Sequence, residues 1–363
     1  MQKNRNLIEW LVPYKVDSLA CLNNCEIASI RLRVAVAANI TDKALLDNEF
    51  NDGANFAIPE ILFVGKIELE ADPKRAERWL SRIKQCAAKG TKIVVDYADN
   101  HLAENQKAAD FYKNAFKFST AVVCSSTVLA SNVRRYYQGP VKVIEDPIEV
   151  LIQEPKKLIP VEPRALWFGD VSNLKYLVDF LKNSFKSKQK ASLCIMTNLQ
   201  NATQEILEIN QLKHLGYLKI EFQNWNLPAM QRMAFHSDMC WIPAGVNDDR
   251  KSGASSNRLL TALSLGLPTA ADNLASYKKY RGFYIELRAG DPFQHLNHQR
   301  EDTIEKITKI QKQIGLHYSK QSIGNRWTKF IEQFIYSDEG VIQKMKLPRN
   351  IHREQQRLSR GLN

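Results

Sequence analysis

The chain has 363 residues, 44% of them hydrophobic and 25% charged, with a formal net charge of +12. That is enough chain and enough apolar content for two packed domains, and it excludes a disordered or fibrous class. No apolar run reaches the length of a membrane span and no secretory signal is legible, so a cytoplasmic protein is expected, with membrane association left open by its positive charge.

In chain order, short β-type runs alternate with helix-type runs. "EILFVGK" (residues 60–66) reads as a buried strand. "KRAERWLSRIKQCAAKG" follows with Trp79, Leu80, Ile83 and Ala87 at helical spacing, and Gly90 can cap it. "TKIVVDY", "TAVVCSS" and "VKVIEDP" read as further strands, separated by the helices "AENQKAADFYKNAFKFS" and "STVLASNVRRYYQG". Strands separated by helices of this length pair in parallel. Pro147, Pro155, Pro160 and Pro163 then interrupt the pattern and forbid a regular helix, which places a linker at 151–163. The alternation restarts with "RALWFG", a helix capped at Ser172, and the strands "ASLCIMT", "YLKIEFQ", "DMCWIPA" and "FYIEL". Two helices, from about Glu301 and from about Lys320, close the chain.

The expected fold class is therefore α/β, with two Rossmann-like doubly wound parallel-sheet domains facing across a cleft. Residues 1–150 form the N-terminal domain and 164–318 the C-terminal one. Residues 319–363 are a helix crossing back and a basic tail, "KMKLPRNIHREQQRLSR". That tail reads as a solvated helix or as a segment drawn to anionic head groups or an acidic substrate. The basic residues lack an aromatic-plus-arginine platform, so no nucleic acid partner is expected. The cysteines are scattered. Cys21 and Cys25 have no second pair at zinc spacing, and Cys124, Cys194 and Cys240 read as buried thiols. No metal and no cofactor are expected. There is no Gly-x-Gly-x-x-Gly, no Gly-x4-Gly-Lys-Ser/Thr and no Gly-x-Ser-x-Gly, which argues against a dinucleotide oxidoreductase, a P-loop enzyme and a serine hydrolase.

One stretch carries anion chemistry: "KSGASSNRLLTALSLGLPTAADN", Lys251 to Asn273. Ser255, Ser256 and Asn257 are N-cap types at the start of an apolar helix, and a helix start favours a phosphate. Lys251 and Arg258 add charge on either side, Gly253 permits close backbone approach, and Gly266 ends the helix before Pro268. An ordinary capped helix on a basic protein has the same local chemistry.

"NRLLTALSLGLPTAA" resembles the donor-site signature of GT-B glycosyltransferases, in which a helix ends at Gly-x-Pro and leads into a small apolar strand. "SDMCWIPA", "ALWFGDVSNLKYL", "AVVCSSTVLASNVRRYYQGPVKVIEDPIEV", "GTKIVVDYADNHL" and "ASIRLRV" are similar to other elements of that family in order and spacing. The resemblance, to retaining members of the group 1 type, covers most of residues 25–335 and is specific only in combination. It implies a nucleotide-sugar donor in the C-terminal domain and a glycan or lipid-linked acceptor in the N-terminal one. It also implies stabilisation of the leaving diphosphate by helix dipoles and cations rather than by a metal. Gly169 matches the strand-end glycine. Asp170 stands where the family has arginine, and Lys175 falls near the family's lysine. The paired glutamates of retaining members are replaced by Gly253 and Thr261. Arg31 and Arg33, on one side of the segment if it is extended, can meet phosphates or acceptor. Asp99 and His101 are the candidates for taking a proton from an acceptor hydroxyl, and Asp248 and Asp249 are a loose cation site or plain loop acids. The expected function is transfer of a sugar to an acceptor hydroxyl, as in surface polysaccharide or glycoconjugate synthesis. Loss of both glutamates keeps open a non-catalytic binding protein of the same fold.

Overall fold

The computed structural model describes residues 7–334, apart from 14, 15, 17, 44–46, 54–56, 71, 104–106, 157–159, 188, 213, 214, 252, 288–290 and 295–299. The basic tail lies outside the described residues. Two six-stranded sheets organise the rest. The first contains β1 (Leu7–Leu11), β2 (Asp47–Asn51), β3 (Ile61–Val64), β4 (Lys92–Tyr97), β5 (Ala121–Cys124) and β6 (Val141–Val143), in spatial order 2-1-3-4-5-6. The second contains β7 (Arg164–Phe168), β8 (Ala191–Thr197), β9 (Leu218–Asn224), β10 (Met239–Ile242), β11 (Thr269–Ala271) and β12 (Ile285–Glu286), in order 12-11-10-7-8-9. Every pairing is parallel.

Parallel strands need crossovers, and helices on both faces bury them fully. That is why Ile61–Val64 is apolar at every position. Ile61 and Phe63 face one core, whereas Leu62 and Val64 face another, as a period of two requires. The helices in chain order are α1 (Leu19–Asn23), α2 (Ala35–Lys43), α3 (Arg75–Ala88), α4 (Lys107–Phe116), α5 (Thr127–Val133), α6 (Leu174–Asn183), α7 (Thr203–Asn210), α8 (Leu227–Phe235) and α9 (Asn257–Ser264). Two long helices follow, Arg300–Tyr318 and Lys320–Phe334. In α3, Trp79, Ile83 and Cys86 are the buried stripe, and Gly90 closes the helix at φ 83°.

Two expectations are corrected. "ASIRLRV" is not extended: Ile30–Val34 is a π-helical turn leading into α2, and all five of its residues are buried. Ser172 is not the cap of α6. It lies inside a 3-10 turn, Val171–Asn173, which Asp170 caps by accepting the Ser172 N–H at 2.9 Å, and Asn173 precedes α6 without a side-chain capping bond.

Three apolar clusters hold the molecule together. One lies under α3, α4 and α5, and one under α6 and α7. The third runs continuously from the inner faces of β1, β3, β4 and β5 to those of β7, β8 and β10, through α2, α9 and the last two helices. The helix Lys320–Phe334 packs on α2, where Gly324 leaves room for Ile40. Its Trp327 meets Phe63 edge-on at 6.2 Å between ring centroids. Among the described residues no helix is long and apolar enough to cross a membrane.

Candidate functional site

In open parallel sheets, ligands bind beyond the carboxyl ends of the strands, where the strand order reverses. In the second sheet that reversal lies between β7 and β10. β7 ends at Gly169. β10 opens into a loop that reaches α9, the helix of the Gly-Leu-Pro stretch. Arg258, in the first turn of α9, reaches back to Gly169. Its guanidinium carbon lies 5.2 Å from the Trp167 ring centroid. A Cβ on Gly169 would come within 3.3 Å of it, so the glycine leaves this place to the arginine.

Among the described residues, Nε and Nη2 of Arg258 are buried and meet no acceptor. Burial lowers the pKa of this guanidinium, against weak support from Tyr277, Cys240 and Asp170. A desolvated charge without an acceptor is costly, and an anion placed there removes the cost. Burial likewise lowers the pKa of Lys251, with Asp99 acting against it. The start of α9 is open to an anion as well. Its cap residue Ser256 makes no side-chain bond to the helix, and the N–H groups of Arg258 and Leu259 meet no acceptor among the described residues.

The other expected donor residues are differently employed. Ser255 Oγ accepts the N–H of Asn257 at 3.2 Å. The Asn257 amide donates to the Pro147 carbonyl at 2.7 Å, tying α9 to the segment between the domains. Lys175 lies over the Tyr176 ring and 3.5 Å from Asp248, which also accepts the Tyr176 hydroxyl at 2.5 Å. Gly245 fits beneath that ring, so Lys175 and Tyr176 hold the loop after β10. Among the described residues no group of three or more potential metal ligands occurs, and Asp248 is occupied as a loop anchor.

In the first sheet the order reverses between β1 and β3. Gly65 follows β3 and closes against the Leu11 carbonyl, which its own N–H reaches at 3.1 Å. Lys66 comes next. It pairs with Asp99 at 3.0 Å and with Glu68 at 3.3 Å. Lys66 holds the Asp99 carboxyl well below the usual carboxylate range, outweighing desolvation. His101 stacks on Tyr112, with ring centroids 5.3 Å apart. Lys66 was not expected as a site residue. Its signal was a Gly-Lys step directly after a buried strand.

Arg31 and Arg33 diverge, as a helical turn requires. Arg31 donates to both oxygens of Glu149, at 2.6 and 2.9 Å, and lies over Trp225 at 4.8 Å. Arg33 is fully enclosed and donates to Asp96, to Asp146 and to the Ile144 carbonyl. Both guanidinium groups have protein acceptors, so the structure does not set this pair against a phosphate.

The two walls touch. Asn100 donates to the Asp249 carbonyl at 2.8 Å, and Ser126 Oγ donates to the Gly253 carbonyl at 2.9 Å. A Cβ on Gly253 would lie 2.4 Å from Cδ2 of Leu129. A glutamate therefore has no room at position 253 in this arrangement. Thr261 is buried and bonds Asn257 at 3.4 Å.

No protein-family model matches the chain, and no curated protein matches it in sequence. Solved structures do. The chain is similar to Anabaena HepE, solved with UDP and glucose: 11% identity over 91% of this chain and 100% of that one, with a TM-score of 0.62. The lipopolysaccharide outer core galactosyltransferase WaaB matches at 10% identity over 90% of this chain and 98% of that one, with a TM-score of 0.53. AviGT4, a glycosyltransferase of avilamycin A biosynthesis, matches at 10% identity over 91% and 98%, with a TM-score of 0.50. The fold is GT-B. In GT-B terms, Arg258, Lys251 and Gly169 stand on the C-terminal wall of the cleft, and Lys66 and Asp99 on the N-terminal wall.

Proposed function

We propose that this GT-B chain is a glycosyltransferase that takes a nucleotide-sugar donor in its C-terminal domain and transfers the sugar to a hydroxyl of a glycan or lipid-linked acceptor. The observation that carries this reading is Arg258, a half-buried guanidinium whose Nε and Nη2 are buried and meet no acceptor among the described residues, beside a bare helix start at the strand reversal. A nucleoside diphosphate supplies the missing acceptors. As the bond between the sugar carbon and the diphosphate breaks, negative charge grows on the leaving oxygen. Arg258, Lys251 and the dipole of α9 stabilise that charge without a metal ion. The acceptor oxygen forms the new bond and its proton is released. Asp99, kept ionised by Lys66, suits acceptance of a hydrogen bond from the acceptor hydroxyl better than removal of its proton.

Gly253 and Thr261 favour a second reading, a GT-B protein that binds nucleotide sugars without turning them over. Titration calorimetry with UDP, GDP and ADP and their hexose conjugates tests donor binding, and donor consumption with mixed acceptors tests turnover. One nucleotide diphosphate is expected to bind, with Arg258→Ala weakening it by ~1.5–3 kcal/mol, the usual value of hydrogen bonds to charged groups. Failure of every nucleotide to bind refutes the donor site. Binding without donor consumption under any acceptor selects the second reading.

A further inference from the structure

A second feature lies away from the cleft, where the segment after β6 runs beside the helix Arg300–Tyr318. The Ile148 N–H donates to the Tyr318 carbonyl at 2.8 Å, and the Gln311 amide donates to the Gln153 carbonyl at 2.8 Å. Ile152 reaches Gly315, where a Cβ would lie 3.2 Å from its Cδ1. These contacts set the segment that carries Leu151 and Ile152 beside the helix segment that carries Gly315 and Leu316. Leu151 is 79% exposed, Leu316 70% and Ile152 45%. Single exposed leucines are ordinary, but a grouped trio on two adjoining segments is a patch.

From residue 306 to residue 331 the charge beside it is of one sign. Residues 306–331 contain no aspartate or glutamate. Lys309, Lys312 and Leu316 share one face of the helix by its 3.6-residue period. Lys309, Lys312, His317 and Lys320 are exposed. The three lysines form no ion pair among the described residues, whereas Lys306 is held by Asp302 and Arg326 by Glu145. Exposed acids beside it are Glu154, two residues after Ile152, and Glu305, one helical turn before Lys309. Protruding aliphatic side chains ringed by free lysines match an anionic bilayer surface, with the aliphatics entering the acyl boundary and the lysines meeting the head groups. Nucleic acid offers nothing for exposed leucine and isoleucine to bury against, and no aromatic stacking residue stands among them.

We propose that this bend, formed by Leu151, Ile152 and Leu316 with Lys309, Lys312 and Lys320, docks the protein on anionic lipid. The site is separate from the donor cleft and does not depend on the donor assignment. Co-sedimentation of the full chain tests it, using vesicles of phosphatidylcholine doped with phosphatidylglycerol and vesicles of phosphatidylcholine alone. Binding is expected to the doped vesicles, to fall as salt rises, and to drop about ten-fold or more in a Lys309→Glu, Lys312→Glu, Lys320→Glu variant. Leu151→Ser with Leu316→Ser is expected to weaken it even at low salt. Unchanged thermal unfolding and nucleotide binding in both variants show that fold and cleft are intact. Equal binding by wild type and variants overturns the proposal. So does self-association through the patch in sedimentation velocity, or a nucleic-acid gel shift in place of vesicle binding.

Discussion

Three arginines of this chain look alike in sequence and differ by what surrounds them. Arg33 is enclosed by the carboxylates of Asp96 and Asp146, at 2.6 and 2.8 Å. Arg31 lies between Glu149 and the Trp225 face. Arg258 has the Trp167 face and, among the described residues, no carboxylate partner. The substitutions should therefore have opposite signs. Arg33→Met leaves two buried acids unpaired and is expected to cost about 3–5 kcal/mol in urea unfolding. Arg258→Met removes an unsatisfied charge and is expected to raise stability by up to about 1–2 kcal/mol while weakening nucleotide binding by about 1.5–3 kcal/mol. A large loss of stability in Arg258→Met would mean that its guanidinium has a structural partner. None of this is legible from residue type. The donor stretch identified Arg258, but only the positions of Asp96 and Asp146, 63 and 113 residues away from Arg33, separate the buried ion network from a ligand site.

At the scale of elements, legibility follows local agreement between pattern and environment. β3, β5 and β10 are continuous apolar runs, and β4, β7 and β8 are apolar at most positions, because both faces are covered, and they stand out in the sequence. β1 does not, because Glu9 sits at the centre of "LIEWL". That carboxylate is buried and held by Arg82, which β1 alone does not reveal. The Ile30–Val34 turn misleads in the other direction. Its apolar residues alternate as in a strand, but carboxylates enclose the two arginines, so a helical turn can be buried all round. The Gly-Leu-Pro end of α9 is read correctly from sequence and turns out to do more than end a helix. Gly266 has φ 72°, and a Cβ there would lie 2.7 Å from the Gln153 carbonyl. The segment between the domains passes directly over it, and the Gln153 N–H donates to the Ser264 carbonyl at 2.8 Å. Gly266→Ala combines a left-handed backbone with a backbone collision. It is expected to cost on the order of 2 kcal/mol or more, measured by chemical unfolding.

At the scale of the molecule, the two domains are joined by a charged latch as well as by the shared core. Glu145, just beyond β6, accepts hydrogen bonds from Lys279 of the C-terminal domain and from the Tyr318 hydroxyl at 3.2 Å. It also accepts one from Arg326 of the crossing helix at 2.9 Å. Burial alone would raise its pKa, but Lys279 and Arg326 outweigh burial and lower it from 4.5. The folded protein therefore releases this proton more readily than the unfolded chain does. The stability that Glu145 contributes is complete above the unfolded value of 4.5 and is lost as pH falls through the lower folded value. Glu145→Gln keeps the shape and removes the charge. At neutral pH it is expected to cost about 1–2 kcal/mol, since the site is partly open to water and hydrogen bonds to charged groups are partly replaced. The gap between wild type and Glu145→Gln should narrow as pH drops below 4.5, because the wild-type carboxyl then becomes neutral too. Urea unfolding of both proteins from neutral to acidic pH measures that gap, and a gap that stays constant through the acid range would remove Glu145 from the account of how the domains are held.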